Sequence, residues 1–275
     1  HVQGAAASFE PWAVVCLALS ATLYAIGVRR LWRRAGGSRG IPAADVARFA
    51  AGWLVLCVAL LPPLDAMSDR SFATHMVQHE LLMVVAAPLL VLARPLEAWT
   101  WALPAPWRPA LGAVARSRGL RAAWRWCTAP VGAWILHAVA LWAWHIPVLF
   151  EAALASEAVH TLQHASFFAT ALLFWWSVFE RARRNSGGAS FASLFTTMAH
   201  SSALGALLTL APDPWYPSYL EGKAFGLTAL EDQQLGGLIM WGPASLAYLA
   251  AALLIAYRWL SPPRRIAGSR AASSP

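Results

Sequence analysis

Seven stretches of this chain are each about 20 residues long and almost wholly apolar. They run over Trp12–Leu31, Val46–Leu64, Phe72–Ala93, Pro130–Phe150, Ala158–Phe179, Phe191–Ala211 and Asp232–Tyr257. A run of that length matches a bilayer core of about 30 Å at the rise of an α-helix. In lipid every backbone N–H and C=O must be satisfied internally, so spanning segments are helices or closed barrels. Runs this continuous predict helices. The fold expected is an all-α integral membrane protein of seven transmembrane helices. One membrane domain over residues 1–260 and a disordered cytoplasmic tail over 261–275 complete the organisation.

The composition agrees. Hydrophobic residues make up 59% of the chain and charged residues 12%, about half the charged share of a soluble domain. The net charge of +8 would suggest nucleic acid if the arginines were scattered, but they are sorted. Arg29, Arg30, Arg33, Arg34 and Arg39 lie at or beyond the end of the first run, and Arg48 opens the second. Arg94, Arg108, Arg116, Arg118, Arg121 and Arg125 lie between the third and fourth. Arg181, Arg183 and Arg184 follow the fifth, and Arg258, Arg264, Arg265 and Arg270 follow the seventh. That places 19 of the 21 basic residues on one side, leaving Arg70 and Lys223 on the other. By the positive-inside rule the arginine side is cytoplasmic, the N-terminus outside and the C-terminus inside. No nucleic-acid partner is expected; the basic excess is an orientation signal. A chain that opens on His1 with its N-terminus outside is compatible with removal of a signal peptide or of a tag.

The segment Arg94–Ala129, with Trp99, Trp101, Trp107, Trp124 and Trp126, reads as interfacial amphipathic structure. Its aromatics sit at headgroup level and its arginines against anionic lipid. The outer segment Pro212–Glu231 is its external counterpart. Cys16, Cys57 and Cys127 match no zinc or redox spacing, and no serine-hydrolase, P-loop or dinucleotide fingerprint occurs.

None of the eight histidines falls on the arginine side. His75 and His79 open the third run, and His160 and His164 open the fifth, all near the outer face. His145 lies near the outer end of the fourth, while His137 and His200 fall near mid-membrane. Both pairs have i,i+4 spacing, which puts their imidazoles on one helical face. Met83 continues the first ladder, and Asp232, Gly236 and Met240 share a face of the seventh run. Gly236 and Gly237 would allow a neighbouring helix to approach closely. Intramembrane ionisable residues mark functional sites by default, although histidines also serve as interhelical hydrogen-bonding glue. Imidazole with thioether and few thiolates suits copper, and imidazole also suits zinc or haem iron. The candidate metal set is His75, His79, His145, His160, His164, His200, Asp232 and Met240. Asp65, Asp69 and Glu80 are candidates to orient an imidazole.

At His75-Met-Val-Gln-His79 with Ala87-Pro-Leu-Leu90 and Arg94-Pro95, at Gln163-His164 with Phe174-Trp-Trp176, and at Asp232-Gln-Gln-Leu-Gly-Gly237, the chain resembles the multi-span CtaG family of cytochrome c oxidase assembly factors. The single-span copper chaperone of the same name is a different protein. The resemblance implies a multi-pass protein of a bacterial inner membrane that helps mature a haem-copper oxidase, supplying copper to the buried Cu(B) centre. The partners expected are the oxidase membrane subunit, an extracytoplasmic copper donor and the lipid bilayer, and an oligomer is left open. The resemblance carries a site to His75, His79, His164, Asp232 and Gln233; His160 is added by its spacing. The expected function is binding and handing over copper without bond-making catalysis. A b-type cytochrome with paired histidines on haem, a metal-dependent membrane oxygenase or hydrolase, and a metal transporter are the alternatives.

Overall fold

A computed structural model describes residues 11–36, 40–184, 187–220 and 224–261, and among these the regular structure is entirely helical. The His1 terminus, Arg39, Lys223 and the tail beyond Ser261 lie outside the described residues, and so does the disorder expected for that tail. The long elements are α1 (Pro11–Ala35) and α2 (Ala43–Leu60), then the short α3 (Leu64–Ser68). The third apolar run is α4 (Phe72–Glu80), a π-helical turn (Leu81–Ala86) and α5 (Ala87–Leu92). Three short helices follow, α6 (Pro95–Ala102), α7 (Trp107–Ala115) and α8 (Arg118–Cys127). The remainder is α9 (Pro130–Trp144), α10 (Pro147–Ala155), α11 (Glu157–Arg183), α12 (Gly187–Leu210) and α13 (Ala229–Leu260).

Five helices are long and apolar enough to cross a membrane, those over Trp12–Ala35, Ala43–Leu60, Phe72–Leu92, Gly187–Leu210 and Ala229–Leu260. A sixth is formed if α8 and α9, bent by 70°, count as one. The expected fourth run differs from its prediction, because Pro130–Phe150 is not one helix. It breaks at His145 and Ile146, ahead of Pro147. A residue before proline is pushed out of the helical region, and Ile146 is extended at ψ 128°. The expected fifth run lies inside α11, whose His160, Gln163, His164 and Ser177 are buried. These polar residues face the bundle interior and dilute the average hydropathy of the helix.

Local chemistry explains several boundaries. Thr228 and Glu231 form a reciprocal capping box at the start of α13. Ser71 caps α4 by accepting from Thr74 N at 3.2 Å. The π-helical turn redirects Met83 O, which accepts a hydrogen bond from Trp175 Nε1 at 2.9 Å and ties the third run to α11. Arg30 and Arg108 donate to the last carbonyls of α6, which have no intrahelical partner.

The helices pack in two cores. One joins α4, α9, α10, α11, α12 and α13 around Phe72, Phe167 and Met240. The other joins α1, α2 and the third run around Tyr24, Phe49 and Leu90. At Gly237 the backbones of α12 and α13 come so close that a Cβ would stand 2.6 Å from Gly205 O and also against Thr209. A Cβ at Gly236 would strike the Phe72 ring at 2.6 Å, which seats α13 on α4. Gly237→Ala is therefore expected to destabilise the protein by roughly 1–3 kcal/mol, read as a lowered thermal unfolding midpoint in detergent. An unchanged midpoint would show that this contact yields without cost.

Candidate metal centre

The first two turns of α4 place His75 and His79 on one face, and the first two turns of α11 do the same for His160 and His164. These faces meet. The ring centroids of His75 lie 5.4 Å from His160 and 5.8 Å from His164, and those of His79 and His164 are 5.3 Å apart. One ligand nitrogen from each of His75, His160 and His164 falls within 4.8 Å of the other two. Three nitrogens around a metal with bonds of about 2.0 Å stand about 3.5 Å apart, so side-chain adjustments of about an ångström would close this set.

The helix break contributes a fifth ring. His145 Nδ1 donates to Leu141 O at 2.7 Å, and His145 O accepts from Tyr216 Oη at 2.9 Å. The His145 ring centroid sits 6.2 Å from that of His79. A carbonyl can only accept, so Nδ1 carries the proton and Nε2 keeps its lone pair. His75 is oriented in a similar way. Tyr219 donates its proton to Ser68 O at 2.9 Å, so its oxygen accepts from His75 Nδ1 at 3.4 Å, leaving His75 Nε2 as a lone-pair donor. Burial pushes the Tyr219 hydroxyl well above its ordinary value, which keeps that proton in place.

The nitrogens that remain are the informative ones. Among the described residues, His75 Nε2, both nitrogens of His79, His145 Nε2 and His164 Nε2 are buried with no hydrogen-bond partner. An unsatisfied buried polar group costs about 1–3 kcal/mol, so several in one place leave nitrogens that an ion or a buried water can satisfy. Phe150, Phe167 and Tyr219 wall the cluster, and no carboxylate belongs to the metal-ligand group found among the described residues. His164 also borders an apolar cavity of about 650 Å³ between α1, α2 and α11.

The other candidates sit elsewhere. Asp232 is buried, but its carboxylate accepts from Ser71 Oγ at 2.7 Å, Phe72 N at 2.6 Å and Ala73 N at 3.2 Å. It anchors the N-terminus of α4, where an anion also opposes the helix dipole. Gln233 links two segments, accepting from Trp215 N at 2.6 Å and donating to Leu208 O at 3.3 Å. Met240 and Met83 lie in the apolar core. His200 is on α12, where Nδ1 accepts from Trp142 Nε1 at 3.4 Å, and His137 meets Thr170 at 3.3 Å. Gln78, inside the first histidine pair, donates to Ala59 O at 2.7 Å and Asp65 Oδ1 at 2.8 Å, tying α4 to α2 and α3. Burial raises the Asp65 carboxyl above its ordinary value, and the Gln78 hydrogen bond opposes that rise. Sequence reasoning missed the parts of Tyr219 and Ser68. The aromatic Trp-Tyr-Pro-Ser-Tyr stretch over residues 215–219 was the available signal.

The family model described as cytochrome c oxidase caa3 assembly factor (Caa3_CtaG) matches residues 22–261. No curated protein and no solved structure matches the chain.

Proposed function

Because the chain belongs to the Caa3_CtaG family of cytochrome c oxidase assembly factors, we propose that its histidine cluster binds copper as cargo for a haem-copper oxidase. The observation that carries this reading is the set of buried imidazole nitrogens with no hydrogen-bond partner, supplied by α4, α11 and the break after α9. The ligand set is neutral. Burial cost rises with the square of the ion's charge, so a ligand group without a carboxylate among its members favours a monovalent ion. Cu(I) is the monovalent metal that imidazoles hold well.

In this reading the protein is a bacterial inner-membrane protein of seven spans. The α9–α10 segment and α11 supply the two spans beyond those recognised by length and hydropathy. The N-terminus is outside and the arginine-rich end cytoplasmic. His75, His79, His145, His160 and His164 then lie toward the outer face, within reach of an extracytoplasmic copper donor. Handover is ligand exchange: each copper–imidazole bond given up is replaced by a bond to the client, with no catalysed covalent step. A Cu(B) centre is itself buried in a membrane subunit, and His164 borders the lateral apolar cavity, through which such a client would meet the ligand set.

Titration of the purified protein with Cu(I) against a chromogenic chelator tests this. The wild type is expected to retain copper, and His79→Ala combined with His164→Ala to lose it. Unchanged stoichiometry in the double variant would exclude the cluster, and a Soret band with stoichiometric haem would transfer the site to haem chemistry.

A further inference from the structure

Away from the histidines, the end of α1 and the corner after α6 border an open basic basin. Arg30, Arg33, Arg34 and Arg108 line a cavity of about 310 Å³ together with Trp101, and no carboxylate lines it among the described residues. Two of the guanidinium groups are held in place. Arg30 Nη1 donates to Ala102 O at 2.5 Å and Leu103 O at 3.1 Å, and Arg108 Nη2 donates to Trp101 O and Leu103 O at 3.0 Å. The guanidinium carbons of Arg108 and Arg34 lie 4.4 Å and 5.5 Å from the centroid of Trp101. Carbonyl bonds and ring stacking fix the positions of these charges and neutralise none of them. Each guanidinium has five donors; with Nη1 of Arg30 and Nε and Nη2 of Arg108 spent on carbonyls, Nε and Nη2 of Arg30 and Nη1 of Arg108 remain for an anion. Four arginine side chains border this one small cavity, and like charges gathered there repel one another until an anion offsets them.

We propose that this basin binds a phosphate group, presented by the headgroup of an anionic phospholipid. The source follows from place. Helix α1 is long and apolar enough to span a membrane, and the arginines occupy its last turns. The cavity therefore sits at the level of the lipid phosphates whichever way the chain is inserted, with Trp101 as an interfacial aromatic. Arginine suits the role because its planar fork matches phosphate oxygens two at a time.

Native mass spectrometry of the full chain in neutral detergent, titrated with phosphatidylglycerol or phosphatidylcholine, tests the proposal. The wild type is expected to retain phosphatidylglycerol selectively. Arg33→Gln with Arg34→Gln is expected to weaken that binding about thirtyfold, at roughly fivefold per arginine near an anionic headgroup. Arg116→Gln with Arg118→Gln removes the same charge from exposed positions outside the basin and is expected to weaken it by less than about fivefold. Equal losses in the two double variants, or no selectivity in the wild type, would overturn the lipid assignment. A parallel arm uses inorganic phosphate. Stabilisation of the wild type but not of the basin variant, without lipid selectivity, would keep the phosphate site and replace the lipid by a soluble source. Absence of binding in both arms would overturn the site.

Discussion

His164→Ala is expected to lower Cu(I) affinity by at least about a hundredfold, the upper end of what an outer-shell partner alone contributes to a metal site. His164 belongs to the three-histidine group whose nitrogens converge within 4.8 Å, and it also touches His79 and the lateral cavity. Loss of its imidazole leaves His75 and His160 as the converging pair, with His79 as the nearest reserve. His75→Ala is expected to act similarly. His200→Ala is the informative contrast, because its ring sits against Trp134 and Trp142 on the α9–α12 contact. Its Cu(I) affinity is expected to stay within about threefold of the wild type on the order of the coupling expected at separated sites. Chelator competition measures both. A large loss in His200→Ala with none in His164→Ala would move the cargo site to mid-membrane.

Asp232→Ala is expected to be the most damaging change to a polar side chain in terms of stability, at about 2–4 kcal/mol. Hydrogen bonds to a charged group contribute about 1.5–3 kcal/mol each, and buried N–H groups left without acceptors add their own cost. Asp232 receives Ser71 Oγ, Phe72 N and Ala73 N at the start of the helix that carries His75 and His79. Asp232→Asn keeps an acceptor oxygen and loses the charge, so a smaller drop is expected. Thermal unfolding in detergent reads the stability, and copper stoichiometry of the folded Asn variant reads the site. A lowered midpoint with copper retained is the result expected of a helix anchor. Lost copper with an unchanged midpoint would make Asp232 a ligand after all.

Much of this was legible beforehand, for reasons that can be located in particular residues. The third apolar run predicted a helix over Phe72–Ala93, and the structure has helical turns from Phe72 to Leu92 with a π-helical insertion. The spacing of His75 with His79 and of His160 with His164 predicted shared faces, because helical periodicity is a local property. The break that sets His145 was also written in the chain, since Pro147 disfavours helix at Ile146, but apolarity over Pro130–Phe150 concealed it. Average hydropathy leaves α11 outside the helices apolar enough to cross a membrane. Its polar residues are those that face inward. Asp232 was grouped with the ligands because the motif around it is polar. Its partners lie about 160 residues earlier in the chain, where no local pattern reaches.

The sequence by itself determined the helical class, the apolar runs, the clustering of arginines around the ends of those runs and the two histidine faces. Each follows from local periodicity or from the cost of placing charge and backbone in lipid. The tertiary structure alone decided that the α4 and α11 faces meet, that His145 joins them, and that Asp232 anchors a helix. It also decided that Arg30, Arg33, Arg34 and Arg108 enclose one cavity. These depend on which helices are neighbours and at what distance. That is set by close approaches such as Gly237 on Gly205 and by side-chain packing between segments far apart in the chain.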